Sequence, residues 1–302
     1  MDRQGIESAV TTIGFVGFGE VASRFAVALA ANGASVVGYD VLLDRPGGLD
    51  VLAKRAQGAP VAFLGLAEVM AQARLVLSAV TTDAALAAAR ACLPHLDGRH
   101  MFVDLNTTSP AVKRAISAAV VPSGAAFVEG AILAAVGVAG ARARILVCGE
   151  KGPRVAETLN ALGLDVAVYG SEIGRASSFK LLRSVFSKGI EAVLIESLLA
   201  ARRAGVGDDV WREIIATVDG RGFAETGGNW IRTHGTAHER RYHEMVQVEE
   251  FLRELGLEPL LTKATAEFFG RSTRLALARA FDTPPHNADE VVAALDALLR
   301  KA

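Results

Sequence analysis

The sequence predicts an α/β domain built on a doubly wound parallel sheet and followed by an all-α domain. From Thr11 to about Tyr169 short β-rich runs alternate with alanine-rich helical patterns, the rhythm that a sheet flanked by helices requires. The first of these runs leads directly into a glycine pattern that opens a helix. Beyond Gly170 no convincing strand follows, and long helical stretches take over.

The candidate strands, in order, include Ile13–Val16, Ser35–Tyr39, Leu75–Val80, Met101–Asp104 and Arg144–Cys148. Each is brief and nearly all apolar, as strands buried on both faces are. Helices are expected over Val21–Asn32, Ser177–Ala204 and His238–Leu255. The stretch Arg175–Arg203 reads as one helix, roughly 40 Å long at 1.5 Å per residue, that joins the two domains. The boundary is set near Gly170, giving an α/β domain over residues 1–170 and an all-helical domain over 171–302.

Composition narrows the function classes. The 302 residues are 51% hydrophobic, enough for buried cores in two domains without covalent staples. Lys plus Arg (32) nearly balances Asp plus Glu (33), so no charge surplus attracts nucleic acid or an anionic membrane. The apolar region Gly130–Gly140 is too short to span a bilayer and runs into Arg142 and Arg144. Only two cysteines occur, Cys92 and Cys148, each in an apolar stretch, which reads as reduced core thiols. The first residues are interrupted by charge and lack the shape of a secretory leader, so the cytoplasm is the expected location.

The segment Gly17-Phe18-Gly19-Glu20-Val21-Ala22 is a G-x-G-x-x-A sequence between a strand and a helix, the Rossmann arrangement. Gly17 permits the tight turn, Gly19 removes a side chain where a pyrophosphate approaches, and Ala22 lets helix pack on strand. The helix N-terminus supplies unpaired N–H groups and positive potential. Asp40, 23 residues beyond Gly17, can accept from the adenosine ribose hydroxyls and would repel a 2′-phosphate. NAD is therefore the expected cofactor, with Arg45 nearby keeping NADP open. The expected cofactor contacts are Gly17, Phe18, Gly19, Glu20, Val21 and Asp40, joined by Val80, Thr81 and Asn106 at later strand ends.

Ligands of an open α/β sheet lie beyond the carboxyl ends of its strands. Two polar segments occupy such places, Val80-Thr81-Thr82-Asp83 and Asp104-Leu105-Asn106-Thr107-Thr108-Ser109-Pro110. Ser109, just before a proline at a first helical position, reads as a helix cap. Asn106 and Thr107 are the expected ligand contacts. On the long helix, Lys180, Ser184, Ser187 and Glu191 are spaced by four, three and four residues and fall within about 60° of arc, a polar stripe among apolar neighbours. The pattern fits a cavity lining or a solvated edge equally well.

These residues resemble the β-hydroxyacid dehydrogenases, the group containing 3-hydroxyisobutyrate and 6-phosphogluconate dehydrogenases, over nearly the whole chain. Ile13–Gly19 looks like the group's N-terminal fingerprint, and Asp104–Pro110 like its D-x-S-T-x-x-P segment. Gly174–Ser184 resembles its G-x-G-x-x-x-K-x-x-x-N catalytic helix. The resemblance implies that Lys180 exchanges a proton with the reacting oxygen while hydride passes to or from the nicotinamide. It also places Ser184 near the substrate with Asn106 and Thr107, and implies a homodimer formed through the helical domain. Three departures bear on substrate recognition: Ala176 replaces a glycine, Ser184 replaces the asparagine, and Glu129–Ala135 lacks the group's serine-glycine-glycine loop. The segments Lys180–Gly205 and Arg240–Thr273 resemble a divergent branch whose helical domain has no assigned function.

The reaction expected is therefore hydride transfer between NAD(P) and the hydroxyl-bearing carbon of a small hydroxy acid or related alcohol. Imine reduction on the same scaffold is the second reading, and a non-catalytic dinucleotide-binding protein the third. His234, His238 and His243 with Glu239 are spaced for a shared helix face, but Arg232, Arg240 and Arg241 disfavour a cation there, so no metal is assigned. A solvent-facing or substrate-entrance role is expected for these histidines, and surface or capping roles for His95, His100 and His286.

Overall fold

The computed structural model describes residues 11–302; the N-terminal leader reading falls on residues outside that range. Contacts divide the chain into two compact units, one ending at Ser184 and the other spanning Val185–Ala302.

The first unit is an eight-stranded sheet with helices on both faces. Its strands are β1 (Thr12–Val16), β2 (Ser35–Tyr39), β3 (Val61–Phe63), β4 (Leu75–Ser78), β5 (Met101–Asp104), β6 (Ala126–Ile132), β7 (Ile145–Cys148) and β8 (Val166–Gly170). Their order is β3-β2-β1-β4-β5-β6-β7-β8. All neighbours are parallel except β6 and β7. The order reverses at β1, so the crevice between β1 and β4 is where an open sheet of this class holds a ligand. Its helices are α1 (Glu20–Ala31), α2 (Gly48–Arg55), α3 (Leu66–Gln72), α4 (Ala85–Cys92), α5 (Pro110–Val120), α6 (Val136–Ala139) and α7 (Gly152–Ala161). The doubly wound sheet and the helical region that follows it are thus as the sequence predicts.

Two apolar layers hold the sheet. Ile13, Phe15, Leu29, Leu77, Val103 and Ile145 pack on one face, and Val37, Val76, Phe102, Ile116 and Val120 on the other. Strand residues of alternate parity face opposite layers, so a strand buried on both sides reads as a continuous apolar run. Cys92 and Cys148 are free and buried, and burial pushes their thiols up to about 12 and about 11, which keeps them as unreactive core side chains.

α8 (Arg175–Arg203) starts in the first unit and continues into the second. The first unit extends past Gly170 because Ala176 and Ser177 are buried, at 0% and 3% exposure.

The second unit continues with α9 (Gly207–Arg221), α10 (Phe223–Glu254), α11 (Leu260–Arg274) and α12 (Ala288–Leu299), and α10 packs along α11 and α12. α10 begins well before the expected His238. Gly227, Gly228 and Gly235 weaken the helical pattern in sequence, yet a Cβ at Gly235 would lie 2.7 Å from Pro285 and 3.2 Å from Phe281. Close packing there leaves no room for a side chain at Gly235. Glu196 of α8 starts α11, accepting the N–H groups of Leu261 at 2.9 Å and Thr262 at 2.7 Å.

The histidine expectations are corrected by this unit. His234 and His238 are buried, at 6% and 3% exposure, not at an entrance. The His234 ring meets the Ser272 hydroxyl at 2.9 Å, and His238 Nδ1 meets the His234 carbonyl at 3.0 Å. Among the described residues no group of three His, Cys, Asp or Glu is placed to hold a metal ion. In the first unit His100 is also buried, with Nε2 2.8 Å from the Met70 carbonyl.

Candidate active site

The site is built at the carboxyl ends of β1, β2, β4 and β5. After β1 the chain turns at Gly17, whose φ of +84° favours glycine. A Cβ there would lie 2.6 Å from the Ala79 carbonyl oxygen, so the turn is closed to any other residue. Gly17 N–H donates to the Tyr39 carbonyl at 2.8 Å, which ties the turn to the end of β2. Gly19 has nothing within 4 Å of where a Cβ would stand and immediately precedes α1. The first N–H groups of that helix have no intrahelical acceptor, so an anion placed over Gly19 meets donors and a positive helix end.

Asp40 follows β2 and secures the same turn. Its Oδ2 accepts the Phe18 N–H at 2.8 Å and its Oδ1 accepts the Leu42 N–H at 2.9 Å. Each carboxylate oxygen keeps a second lone pair for a ribose hydroxyl. Sequence reasoning missed Arg55 on α2. Its guanidinium donates to the Phe18 carbonyl at 3.2 Å and lines this end of the cavity, where Arg45 was the expected cation.

Within the first unit these elements enclose a cavity of about 1010 Å³. It is lined by Gly17, Gly19, Glu20, Val21, Asp40, Val80, Thr81, Asn106, Thr107 and Lys180, while Phe18 and Ser184 of the expected site are not among the lining residues. Most of the remaining wall is apolar, with Leu66, Leu105, Ile132, Ala134 and Val136, and Arg55, Tyr39 and Thr82 add polar groups. The volume suits a dinucleotide together with a small substrate, and the open Gly19 face and the closed Gly17 turn fit a pyrophosphate.

Phe18 takes part in the turn through its backbone. Its side chain is fully buried and packs edge-on against Phe63 at 4.8 Å and Phe15 at 6.0 Å, so only its backbone belongs to the turn. Asn106, which lines the cavity, is also bonded within the protein. Its Oδ1 accepts the Val80 N–H at 2.7 Å, while its Nδ2 donates to Ser78 Oγ at 3.0 Å and to an Asp104 carboxylate oxygen. Both Nδ2 protons are engaged and the amide joins the loops after β4 and β5, while Oδ1 keeps one acceptor position. Ser109 caps α5, its Oγ accepting the Val112 N–H at 3.3 Å.

Lys180 projects from the first turns of α8 into the cavity wall, and its Nζ donates to Thr107 Oγ1 at 2.6 Å. Desolvation, followed by the charge of Lys113, lowers the amine from 10.5 to about 8. An amine held there exists in both protonation states near neutral pH, as a proton-exchanging group requires. Ser184, one turn on, donates its hydroxyl to the Lys180 carbonyl at 2.8 Å. The short side chain therefore bonds its own helix and leaves only oxygen lone pairs to offer.

Two buried charges set the geometry and were missed in sequence. Glu129, fully buried in β6, accepts the Gly174 and Ser177 N–H groups, the latter at 2.5 Å, and so fixes the start of the lysine-bearing helix. Gly174 is required there, with φ of +105° and a Cβ position 2.7 Å from Arg114. Lys113, on the inner face of α5, pairs with Asp104 at 2.7 Å. The available signal was a charged residue at a core position of an otherwise apolar pattern, Glu129 within β6 and Lys113 in phase with Ile116 and Val120.

A closed glycine turn, an open helix start, an acid at the end of β2 and a cavity at the reversal of strand order define a dinucleotide-binding protein of the nicotinamide-dependent oxidoreductase class. The chain belongs to the family of the NAD binding domain of 6-phosphogluconate dehydrogenase, which matches residues 12–170. Residues 201–272 match a domain of unknown function, DUF1932. A conserved hypothetical protein from Sinorhizobium meliloti is 32% identical, with all of both chains covered and a TM-score of 0.61. A second conserved protein, described as structurally similar to 3-hydroxyacid dehydrogenases, is 33% identical over 88% of this chain and 99% of its own, with a TM-score of 0.59. An imine reductase from Myxococcus stipitatus in complex with NAD+ has a TM-score of 0.73 at 15% identity, covering 96% of this chain and 99% of its own, a likeness of fold alone. Among the described residues no helix is long and apolar enough to cross a membrane.

Proposed function

We propose that this chain moves a hydride between a nicotinamide cofactor and the hydroxyl-bearing carbon of a small hydroxy acid or related alcohol, with Lys180 as the acid/base. The observation that carries the reading is the Lys180 amine, lowered to about 8 and held 2.6 Å from Thr107 Oγ1 in the wall of the glycine-turn cavity. A bound nicotinamide supplies the hydride acceptor or donor. In the oxidative direction the neutral Lys180 amine takes the hydroxyl proton as the carbonyl forms; in reduction its ammonium returns that proton. Thr107 orients the amine, and the surrounding apolar wall keeps it desolvated.

Asp40 supports NAD as the preferred cofactor, through acceptor positions beside the turn, while Arg55 gives NADP a cation at the same end. The wall formed by Ile132, Ala134 and Val136 has no charged group to pair with a carboxylate. That apolar wall favours imine reduction as the second reading, with the Lys180 ammonium protonating nitrogen. A homodimer through the helical unit fits the exposed apolar side chains of α8, where Val185, Phe186 and Ile195 are 72%, 53% and 55% exposed. The buried free thiols fit a reducing, cytoplasmic setting.

The test is a screen of the purified chain against hydroxy acids, simple alcohols and cyclic imines with both cofactors, read at the nicotinamide absorbance. Turnover of a hydroxy substrate supports the leading reading, and turnover of imines alone replaces it with the second. Dinucleotide binding without turnover of any class refutes both. Light scattering of the same sample tests the dimer, which a monomer mass refutes.

A further inference from the structure

We propose that Lys113 is a positioning residue for the reaction: through Asp104 and Asn106 it holds the Asn106–Thr107 segment so that the Thr107 hydroxyl meets the Lys180 amine. This inference rests on the reading of Lys180 as the acid/base.

Lys113 is fully buried, on a helix face otherwise formed by Ile116 and Val120. Its ammonium has three acceptors, matching its three protons: the Asp104 carbonyl at 2.8 Å, Asp104 Oδ2 at 2.7 Å and the Gly130 carbonyl at 3.3 Å. A buried ion pair is weak evidence for stability, because apolar residues of similar volume pack as well without desolvating two charges. What the pair does uniquely is set direction. An asparagine amide has two orientations of nearly equal shape, and a carboxylate only accepts. With Lys113 donating to Oδ2, the other Asp104 oxygen selects the orientation that turns Asn106 Nδ2 inward. Asn106 Oδ1 is then left facing the Val80 N–H, at 2.7 Å.

The loops after β4 and β5 are thereby locked together, and Thr82 Oγ1 reinforces the lock by donating to the Thr107 carbonyl at 3.0 Å. Thr107 stands next in the chain, its hydroxyl 2.6 Å from Lys180 Nζ. A direct route thus runs from a buried charge on α5 to the reacting amine, through side chains on β5 and the loop after it. Lys113 also acts on Lys180 through space, as a second cause of its lowered proton affinity.

Lys113→Met alone leaves a carboxylate buried without its cation and can fail to fold, so the working variant is Lys113→Met with Asp104→Asn, which removes both charges. It is compared with Thr107→Val and with the combination of all three changes. Thermal unfolding, fluorescence titration with NADH and steady-state kinetics on the substrate found by the screen are measured for each. A reading independent of turnover is the rate at which an amine-selective reagent labels Lys180, followed by mass spectrometry. The expected result is a folded double variant with dinucleotide affinity within about threefold of the parent and kcat lower by about 10- to 100-fold. Labelled at about pH 10, where the amine is largely neutral with or without the Lys113 charge, Lys180 reacts faster once its anchor is loosened, and adding Thr107→Val gives no further loss, because the groups act as one unit. The proposal is overturned if the folded double variant keeps kcat within about twofold and an unchanged labelling rate. It is equally overturned if the Thr107→Val and double-variant losses multiply. Should Lys180→Met leave turnover intact, the acid/base reading fails, whereas loss in Lys180→Met without loss in the double variant defeats only the role of Lys113.

Discussion

Lys180→Met separates chemistry from binding and from folding. Methionine keeps the length and apolar stem of lysine but carries no exchangeable proton. Removing a positioned acid/base lowers kcat by about 10²–10⁴-fold, while the glycine turn and Asp40, which hold the dinucleotide, are untouched. Stability follows from the same proton affinity. Lys180 titrates at about 8 in the fold against an ordinary 10.5. Below pH 8 both folded and unfolded chains carry the ammonium, and the fold bears its desolvation. Between pH 8 and 10.5 the fold has released a proton that the unfolded chain still holds, so stability rises with pH across that window. Discounted for partial solvent screening, the burden at pH 7 is about 1–2 kcal/mol. The lost Thr107 hydrogen bond offsets about 1 kcal/mol of the relief, so the methionine variant unfolds at or slightly above the parent temperature at pH 7. The catalytic signature is also pH-dependent. With a pKa of about 8, the neutral amine is about 9% of the total at pH 7 and about 90% at pH 9, so oxidation in the parent rises about tenfold over that range. Stopped-flow rates from pH 7 to 9, with circular dichroism melts and NADH titration of the variant, make the assay. A folded variant that binds NADH and turns over within about threefold of the parent, or a flat parent profile, refutes the assignment.

Three further outcomes follow from the same geometry. Gly17→Ala forces a Cβ to within 2.6 Å of the Ala79 carbonyl at a positive φ; it is expected to cost more than about 1 kcal/mol and to abolish NADH binding, and an unaltered melt and titration would count against the turn as described. Asp40→Asn replaces an acceptor-only group with an amide that faces one of the Phe18 and Leu42 N–H groups with N–H donors of its own, so NADH affinity should fall and the NADH-to-NADPH ratio shift toward NADPH; an unchanged ratio argues that Asp40 serves the turn alone. His234 is held neutral by burial, its proton affinity lowered from 6.5 to about 4, so stability present above pH 6.5 is lost as pH falls toward 4, by at most about 3 kcal/mol. Urea midpoints of the parent and His234→Phe should converge on acidification, and parallel curves would show that His234 takes no part.

The sequence alone determined what the backbone must do locally. A glycine before a tight turn, apolar runs short enough for buried strands, an acid after the second run and a lysine on a long helix are all readable, because each is a constraint within a few residues of chain. They define the Rossmann half, the all-helical remainder and many of the residues that line the cavity. Tertiary structure decided how those residues are used. Asn106 reads as a ligand contact, and only the fold shows that Val80, Ser78 and Asp104 also hold its amide. Phe18 reads as part of a cofactor contact until its ring is found against Phe63. His234 and His238 read as an entrance until α10 and α11 bury them. Glu129 reaches Gly174 across 45 residues and Lys113 reaches Gly130 across 17. No periodicity in the chain reports separations of that kind. Whether a polar group is solvated, paired or aimed at a cavity is set by which distant backbone the fold brings to it, and only the assembled sheet and helices supply that neighbour.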